Sequence, residues 1–588
     1  MMFLATSFNA EARTLYLNTG GTALWENNGA DKFAVWHWKD GSNGTFTPWM
    51  TRVEGSLWQV TLSDESDRVI FCRFATTATQ PDWNQKWHQT EDLIVTEGLD
   101  LFTITSMGEG DKSVGVWSTY GEEPPEPIDP TDYDKAVPAE CMDVMLQAFY
   151  WESYQDKGYG NTKWETLTGQ VGEIGKTFTL VWLPPSAEAS GMGYIPTSYS
   201  SQTCVMGKRS ALEALISSLH NAGTRVLADI VINHCGNKSN WCDYRTMNFG
   251  EYGSFSPESS WVTRDDEGNC NQTANLDDGQ HEANYEAARD WDHKNTDVQN
   301  MCKAYLKWMK NVMLYDGYRF DYCGGYHTGH INDYVSAAKP YFSVMEYWDG
   351  NAANLKARIN DAQKNTLTFD FSNMYNAIRD GIAKGSYSKC KNAGLRGLGY
   401  SKYAVTFIDN HDTFARGGNT TDILGKNDGS SINNQKVMLQ ANAYILSLPG
   451  VPCVFYPHWV KYKTEIKKMV LARRSAGIHS ESQMTETAGN GYYEATVDGK
   501  YGQVILYLGS SATKTQPEGF LLASKGDGYA MYYSTTKPII DDALEQNLMT
   551  EPVLNWAEPV YNLMGQLVDE NYRGIVIQNG HKFLNEPY

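Results

Sequence analysis

Apolar and polar residues alternate in short runs through the first part of the chain. Runs of this kind, separated by Gly, Asn and Asp turns, occur at residues 14–17, 33–38, 57–62 and 69–74. A period of two is typical of strands that bury one face, so residues 13–118 are predicted to form a β-sandwich. The sequence GEEPPEPIDP at 121–130 has no apolar periodicity and predicts a stiff, extended linker over 119–136.

After the linker, apolar runs of strand length alternate with helical patterns. Eight such runs can be counted, at residues 144–149, 178–183, 225–232, 317–321, 342–346, 366–370, 403–408 and 452–456. Eight strands with intervening helices predict an α/β fold, a (β/α)₈ TIM barrel over residues 137–479. The stretch 235–290 after the third run is too long for a plain connection, and we interpret it as a functional excursion.

Two of the intervening helices are predicted in more detail. One is expected to stop at Gly223 and carries an apolar stripe at helical spacing, made by Leu212, Leu215, Ile216 and Leu219. The other is expected to begin with a capping box formed by Thr296 and Gln299.

Both ends of the chain differ from the barrel segment. Runs at 492–497, 503–508 and 529–533 predict an antiparallel domain over 480–536, and residues 537–588 read as a short β tail with two runs that meet at Gly574. Residues 1–12 are apolar and end in Ala10-Glu11-Ala12, which suits a signal remnant. The alternative for residues 1–12 is an ordinary unstructured start, because a basic region is missing.

Composition and charge narrow the classes of function. The 588 residues include 49 Lys and Arg against 70 Asp and Glu, a formal charge of −21 that excludes nucleic acid as a partner. No run of 18 apolar residues occurs, so we expect no transmembrane helix. The ten cysteines form no CxxC pair, which argues against a zinc ribbon. Cys235, Cys242 and Cys270 share one loop-rich stretch and could pair.

Four tryptophans of the N-terminal module are candidates for sugar stacking. Trp36 and Trp38 fall on one face of a strand. For these two residues, burial in the core of the sandwich is an alternative of equal weight to sugar stacking. Trp83 and Trp87 lie in the polar segment QPDWNQKWHQT, and we expect both to be exposed.

Candidate catalytic residues gather at the carboxyl ends of four predicted strands. In a (β/α)₈ barrel those ends meet at one mouth. The polar residues there include His234, Arg319, Asp321, Glu346, His411 and Asp412. Three carboxylates without a Ser nucleophile or Cys/His metal spacing suit the cleavage of acetals, as in glycosides.

The expected roles follow from position. Arg319 and Asp321 are two apart on a strand and face the barrel interior together, so the guanidinium would keep Asp321 ionised as a nucleophile. Glu346, on the adjacent strand, would be the general acid. Asp412 would hold sugar hydroxyls and strain the ring, and further hydroxyl contacts would come from His234 and His411.

The motifs around these residues resemble those of glycoside hydrolase family 13, the α-amylase family, and are most similar to the plant-type enzymes. The resemblance covers about residues 143–535 and rests on QAFYWES, VWLPPS, Gly193-Tyr194, DIVINH, GYRFD, EYW and FIDNHD. It implies that Asp321 is the nucleophile, Glu346 the acid/base and Asp412 the transition-state stabiliser. It also implies that Tyr194 stacks on the sugar at the cleavage site, and we expect Trp348 to lie beside the cleft. Retention implies a separation of about 5–5.5 Å between Asp321 and Glu346.

The resemblance implies hydrolysis of internal α-1,4-glucosidic bonds of starch and maltooligosaccharides. We expect the protein to be a monomer. Two alternatives remain at this point: a family 13 transglycosylase or oligosaccharide-specific hydrolase, and a non-catalytic starch-binding protein on the same scaffold. The sequence departs from the plant-type pattern at Gly324, where those enzymes have a Lys that contacts the leaving-group sugar. The resemblance therefore does not imply which length of glucan is preferred.

The family also implies bound Ca²⁺. By position, its ligands would be Asn233, Asp278, Asp290 and the carbonyl of Gly325, with Asp277 a weaker candidate than Asp278. The alternative is that Asp277-Asp278-Gly279 is only a turn.

The flanking segments have looser resemblances. Residues 13–118 look like the small starch-binding β-sandwiches that accompany amylases. The tail at 561–583 is similar to C-terminal β segments of secreted Bacteroidetes proteins, which implies a secreted or cell-surface protein.

Overall fold

The computed structural model describes residues 13–20, 23–26, 32–62, 66–95, 99–107, 112–121, 131–264, 270, 279, 285, 287–414, 435–537, 560–562, 567–568, 574–578 and 581–585. The expectations for residues 1–12, for most of the linker and for Asp277 and Asp278 lie outside these ranges. No helix among the described residues has both the length and the apolar character needed to cross a membrane.

The N-terminal module is a β-sandwich of two five-stranded sheets, as predicted. Its strands are β1 (Arg13–Asn18), β2 (Lys32–Trp38), β3 (Thr45–Phe46), β4 (Thr51–Glu54), β5 (Leu57–Leu62), β6 (Arg68–Phe74), β7 (Lys86–Gln89), β8 (Leu93–Ile94), β9 (Leu101–Met107) and β10 (Ser113–Ser118). One sheet has the order β10-β9-β1-β5-β4, and the other β3-β2-β6-β7 with β8 paired to β6. Alternate residues of both sheets fill the core, among them Leu15, Leu17, Phe33, Val35 and Phe71.

The outer face of the second sheet carries a separate aromatic layer. Trp36 and Trp38 alternate with the core residues of β2 and pack outside the sandwich, on Ala34, Ile70, Cys72 and Phe74. The reading that places them in the sandwich core is therefore wrong, because the period of two turns them to the opposite face. Trp83 and Trp87 are exposed as expected, with 37% and 52% of their surface accessible.

Eight parallel strands close into a barrel, one for each of the predicted runs. They are β11 (Met145–Gln147), β12 (Leu180–Trp182), β13 (Arg225–Ile230), β14 (Gly317–Phe320), β15 (Phe342–Met345), β16 (Leu367–Phe369), β17 (Ala404–Thr406) and β18 (Val451–Phe455). Neighbours in sequence are neighbours in the barrel, and β11 pairs with β18 to close it. Strands buried on both faces require near-continuous apolar runs, which is why each was visible in the sequence.

Helices cover the outside of the barrel. The chain contains α1 (Ala23–Glu26) in the module, and then α2 (Trp164–Thr168), α3 (Val171–Thr177), α4 (Arg209–Asn221), α5 (Thr296–Asn311), α6 (Gly329–Ala338), α7 (Ala352–Asp361), α8 (Phe371–Asn373), α9 (Gln435–Ser447), α10 (Tyr456–Lys461) and α11 (Lys463–Ala476). A π-helical turn, Met374–Arg379, follows α8.

The two helices predicted in detail are both present. The apolar stripe of α4 is buried as expected, and Gly223 follows with a φ of 74°. The predicted capping box of α5 is wrong, because the Asn295 side chain caps the helix by accepting from the backbone N–H of Asp297 at 2.8 Å. Gln299 bonds instead to the carbonyl of His293.

The excursion after β13 is a loop-rich segment tied back to the barrel. Its two ends pair as antiparallel strands, His234–Cys235 with Arg289–Asp290. A disulfide joins Cys242 to Cys270, and Cys235 is buried as a free thiol. This resolves the pairing that the sequence left open.

An antiparallel sheet follows the barrel, as predicted. Its strands are β19 (Met484–Gly489), β20 (Tyr492–Asp498), β21 (Gln503–Gly509), β22 (Leu521–Gly526) and β23 (Tyr529–Tyr533), in the order β19-β20-β21-β23-β22. The described tail has four short strands rather than the two predicted, at β24 (Val560–Asn562), β25 (Leu567–Val568), β26 (Gly574–Gln578) and β27 (His581–Asn585). Gly574 begins the third of them.

Candidate active site

One buried arginine joins the carboxylates at the mouth of the barrel. Arg319 lies on β14, and its Nη1 donates to Asp229 Oδ1 at 2.7 Å and to Asp321 Oδ1 at 2.6 Å. Its Nη2 lies 2.8 Å from Glu346 Oε1. Because Arg319 is on a strand between those of Asp229 and Glu346, the parallel register brings three carboxylates to one guanidinium.

Burial dominates the electrostatics of this cluster. Desolvation raises the pKa of Asp321 well above the ordinary carboxyl value; Arg319 opposes this rise, while Glu346, Asp229 and Asp412 add to it. Arg319 therefore acts on Asp321 in the expected direction, and it is opposed by desolvation and by the neighbouring carboxylates. Desolvation likewise raises the pKa of Asp229 to about 6.

Glu346 is held at the end of β15 by three N–H donors. Besides Arg319, the indole Nε1 of Trp348 donates to Oε1 and the backbone N–H of Tyr322 donates to Oε2, both at 3.0 Å. Trp348 packs on Phe371 with ring centroids 4.4 Å apart. Tyr322, which follows Asp321, has a φ of 51°, an unusual backbone conformation that directs its N–H at Glu346.

An aromatic wall flanks the carboxylates. The Tyr194 hydroxyl donates to Asp229 Oδ2 at 2.9 Å, and the Tyr194 ring is parallel to those of His411 and Trp151, with centroids 5.0 and 6.0 Å away. Trp182 donates to the same oxygen of Asp229 at 3.0 Å. Asp229 therefore fixes both the guanidinium and the wall.

Asp412 and His411 lie beyond β17, in the turn that Asn410 organises. The Asn410 side chain accepts from the backbone N–H groups of Asp412 and Thr413, both at 2.9 Å. His411 lies 3.1 Å from Asp412 Oδ2, and Gln147 on β11 donates to its other ring nitrogen at 3.0 Å. Asp412 is thus oriented by β11 as well as by its own strand.

His234 has a different environment from the one expected for a sugar contact. Its Nε2 donates to the Tyr194 carbonyl at 2.7 Å, and its Nδ1 lies 3.3 Å from Asn233 Nδ2. The ring is buried, which lowers the pKa of His234 to about 4, and it stacks on Tyr285 at 3.8 Å. These contacts make His234 a support for Tyr194, and any sugar hydroxyl would compete with them.

The residues expected to hold calcium lie together beside this support. The Asn233 side chain donates to Asp290 Oδ1 at 2.8 Å, while its own Oδ1 is buried and accepts no hydrogen bond from the described residues. The backbone of Gly325 approaches so closely that a Cβ built there would collide with Asn233 Oδ1. Within the described part of the chain, no three His, Cys, Asp or Glu side chains form a metal cluster. An amide oxygen, a carboxylate and a nearby backbone carbonyl are nevertheless the donors that Ca²⁺ prefers, so this set fits the ion.

Sequence reasoning missed Asp229, Trp182, Trp151 and Gln147 as parts of the site. Asp229 lies in the DIVINH motif at the end of the third predicted strand, but the sequence analysis gave it no role. The signal that could have found it is a carboxylate in an otherwise apolar strand, in register with Arg319 on β14.

Comparisons with known proteins agree on one family. The model described as "Alpha amylase, catalytic domain" matches residues 171–487. "Probable alpha-amylase 2" of Arabidopsis thaliana is 28% identical over 437 residues, which are 69% of this chain and 97% of that protein. "Alpha-amylase 3, chloroplastic" of the same plant is 29% identical over 62% of this chain, and the match spans 41% of its length. "Glucan 1,4-alpha-maltotetraohydrolase" of Stutzerimonas stutzeri is 26% identical over 63% of this chain and 68% of its own.

A solved structure extends the likeness of fold to the flanking domains. Pullulanase type I from Bacillus subtilis, complexed with maltose, superposes with a TM-score of 0.50 at 14% identity, over 90% of this chain and 85% of its own. Since the family model spans more than half of the chain and includes all four clustered carboxylates, the chain belongs to the alpha-amylase family and is a glycoside hydrolase.

Proposed function

We propose that the protein hydrolyses internal α-1,4-glucosidic bonds of starch and related glucans, with retention of configuration at the anomeric carbon. The observation that carries the proposal is the single guanidinium of Arg319 bound to Asp229, Asp321 and Glu346 at the mouth of the barrel. Such an arrangement holds two carboxyl groups together for glycoside cleavage. The matched alpha-amylases and the maltotetraohydrolase support an α-1,4-glucan as the substrate.

Asp321 is the proposed nucleophile and Glu346 the proposed general acid and base. Asp321 attacks the anomeric carbon while Glu346 protonates the leaving oxygen, which gives a covalent glycosyl-enzyme. Glu346 then takes a proton from water, and the hydroxide displaces Asp321. Burial raises the pKa of Asp321 and Arg319 lowers it, so the ion pair with Arg319 favours the ionised form that the attack requires.

The other residues of the mouth bind and orient the sugar. The Tyr194 ring is proposed to stack on the glucose whose bond is cleaved, and Asp412 to bond its hydroxyls in the oxocarbenium-like transition state. Trp348 lies against Glu346, and so beside the leaving group. His411 orients Asp412, and His234 supports Tyr194 from beneath.

We propose a calcium site formed by Asn233 Oδ1, Asp290 and the carbonyl of Gly325, with Asp278 as a further ligand from outside the described residues. The buried Asn233 Oδ1 and the close approach of Gly325 support this proposal. A bound cation would attach the end of the excursion to the end of β13. Since His234 follows Asn233 and contacts Tyr194, a bound ion would also help to hold the aromatic wall in position.

The N-terminal module is proposed to bind starch through the aromatic layer of its second sheet. The Trp83 ring lies 5.1 Å from those of both Trp36 and Phe46. Trp87 packs instead against Arg73, which alternates with the layer residues of β6 and so points to the opposite face of the sheet. Exposed indoles next to polar groups are suited to stacking on sugar rings. A tethered site of this kind would raise the local substrate concentration at the barrel.

We also propose that the protein is exported and acts as a monomer. The Cys242–Cys270 disulfide supports export, because such bonds persist in oxidising compartments. Recovery of the protein in the medium or on the cell surface, and its sedimentation as a monomer of 66.0 kDa, would test these two points.

The catalytic proposal is tested with Asp321→Asn and Glu346→Gln, and with Asp349→Asn as a matched control. Asp349 is a half-buried loop carboxylate that accepts from the backbone N–H of Asn351 and from the side chain of Asn354. The first two variants should lose starch hydrolysis in an iodine assay while the control keeps it, and ¹H NMR should show the α-anomer as the first product. Normal activity in Asp321→Asn would refute the assignment, and a single transfer product would favour a transglycosylase.

A further inference from the structure

A cavity of about 690 Å³ lies between the N-terminal module and the barrel. The module contributes residues at the ends of β2, β6 and β8, and the barrel contributes the segments 161–170 and 206–208. The volume falls within the range of about 300–1,000 Å³ that is typical of small-ligand sites. The cavity is separate from the catalytic mouth, and none of the residues in the proposed catalytic machinery lines it.

The acidic and basic side chains that line the cavity are equal in number, so the lining carries no net charge. Three carboxylates and three cationic groups line it: Asp40, Asp67, Glu165, Arg68, Lys163 and Lys208. Arg68 reaches across the junction, with its Nη2 3.6 Å from Asp40 Oδ2 on the module and 3.4 Å from Glu165 Oε2 on the barrel. A lining with no net charge gives an anion or a cation no advantage, so it favours a neutral ligand rich in hydrogen-bonding groups.

The rest of the lining has the two-sided character that a sugar ring requires. Amide and hydroxyl groups are supplied by Asn161, Thr166 and Gln170, and an apolar surface mainly by Ile94, whereas Val95 and Met206 are almost fully buried. Pyranose rings carry hydroxyls at their edge and C–H groups on their faces. Both kinds of surface are therefore matched within one cavity.

The cavity continues the aromatic layer of the module. Trp38 is the β2 partner of Arg68 on β6, and the backbone N–H of Asp67 donates to the Trp38 carbonyl at 3.2 Å. Trp38 belongs to the same layer as Trp36. A glucan that lies along these tryptophans would reach the cavity without a change of face.

We propose that this cavity binds a short segment of α-glucan, as a second carbohydrate site shared by the module and the barrel. The choice of ligand rests on the proposed function, which makes an α-glucan the neutral polyhydroxy chain this protein meets. Because both domains contribute to the lining, occupation of the site fixes the module against α2 and the segment before α4 of the barrel.

The test is hydrogen exchange with maltoheptaose, in full-length protein made inactive by Glu346→Gln. At ten times the dissociation constant, amides at 161–170 and 206–208 should exchange about ten-fold more slowly, since their opening requires the unoccupied site. Thr166→Trp, which places an indole in the cavity, should abolish this protection. Ser217→Trp, an exposed position of α4 outside the lining, should leave it unchanged.

A second variant covers the case in which Thr166→Trp does not fold. The pair Asp67→Ala and Lys208→Ala removes one acid and one base, so it keeps the balance of charge and removes two hydrogen-bonding groups. Protection that survives either folded variant would overturn the proposal. Protection at 317–323 and 344–348 without any at 161–170 would overturn the second site and leave the proposed function intact, whereas protection nowhere would overturn the proposed function itself.

Discussion

Replacement of Asp229 by Asn tests the centre of the site without touching the proposed nucleophile or acid. Asp229 accepts from Arg319, Trp182 and Tyr194, and only 3% of its surface is accessible. An asparagine offers one oxygen where the carboxylate offers two, so at least one of these three donors loses its partner. The change also removes a negative charge from the buried cluster.

The expected magnitudes follow from those contacts. Breaking one arm of a buried ion pair costs about 3–5 kcal/mol, so the free energy of unfolding should fall by about that amount. Arg319 and Tyr194 lose a shared anchor, and a small displacement of positioned groups is expected to lower kcat/KM about 100-fold. Loss of the charge on Asp229 removes one cause of the raised pKa of Asp321, so the acid limb of kcat/KM should move to lower pH.

Urea unfolding and kcat/KM with a blocked p-nitrophenyl maltooligosaccharide, measured across pH, give the three readouts. Asp316→Asn is the matched control, since Asp316 is a buried carboxylate that contacts His220 and the backbone of Val226 away from the mouth. The free energy of unfolding of Asp316→Asn should fall. Its kcat/KM and the pH at which the acid limb of kcat/KM lies should both stay unchanged. A folded Asp229→Asn variant with wild-type kcat/KM and an unmoved acid limb would refute the reasoning.

Three further predictions concern the acid, the calcium site and the module. Trp348→Phe keeps the packing on Phe371 but loses the N–H bond to Glu346, so kcat on starch should fall about ten-fold. Tyr347→Phe is the control, and an unchanged kcat in Trp348→Phe would contradict the role of Trp348 in holding Glu346. Removal of calcium with EGTA should lower the Tm of the wild-type protein, and Asn233→Ala should have a lower Tm with a smaller EGTA effect; equal EGTA shifts in calorimetry would argue against Asn233 as a ligand. Trp83→Ala combined with Trp87→Ala should reduce retention on insoluble starch and leave kcat/KM on a short soluble substrate unchanged. Tyr120→Ala removes an exposed ring that stacks on Tyr16 of the other sheet, and this variant should be retained normally; full retention of the double variant would contradict starch binding by the module.

The barrel could be predicted from the sequence because its strands are buried on both faces and are therefore apolar throughout. The local details were harder. Asn295 and Thr296 are both good helix caps, and only the backbone geometry decides between them. The outward direction of Trp36 depends on which face of β2 meets the other sheet, which the alternation alone does not reveal.

The sequence predicted which residues come together at the mouth of the barrel, but it did not predict how burial shifts their pKa values. Residue spacing brought Arg319 and Asp321 to one face correctly. It gave no measure of desolvation, which depends on how completely Glu346, Asp229 and the surrounding rings exclude water from Asp321. His234 likewise was found as a residue of the mouth, but its bond to the Tyr194 carbonyl required the fold.

The single guanidinium shared by carboxylates from three strands has a consequence for protein engineering. Any substitution at Asp229, Asp321 or Glu346 redistributes the donors of Arg319, so its effect depends on which residues occupy the other two positions. Single-site libraries would therefore misjudge these positions, and even Lys in place of Arg319 would lose the planar fork that reaches three partners. Directed evolution of this mouth needs combinatorial libraries that vary the four residues together.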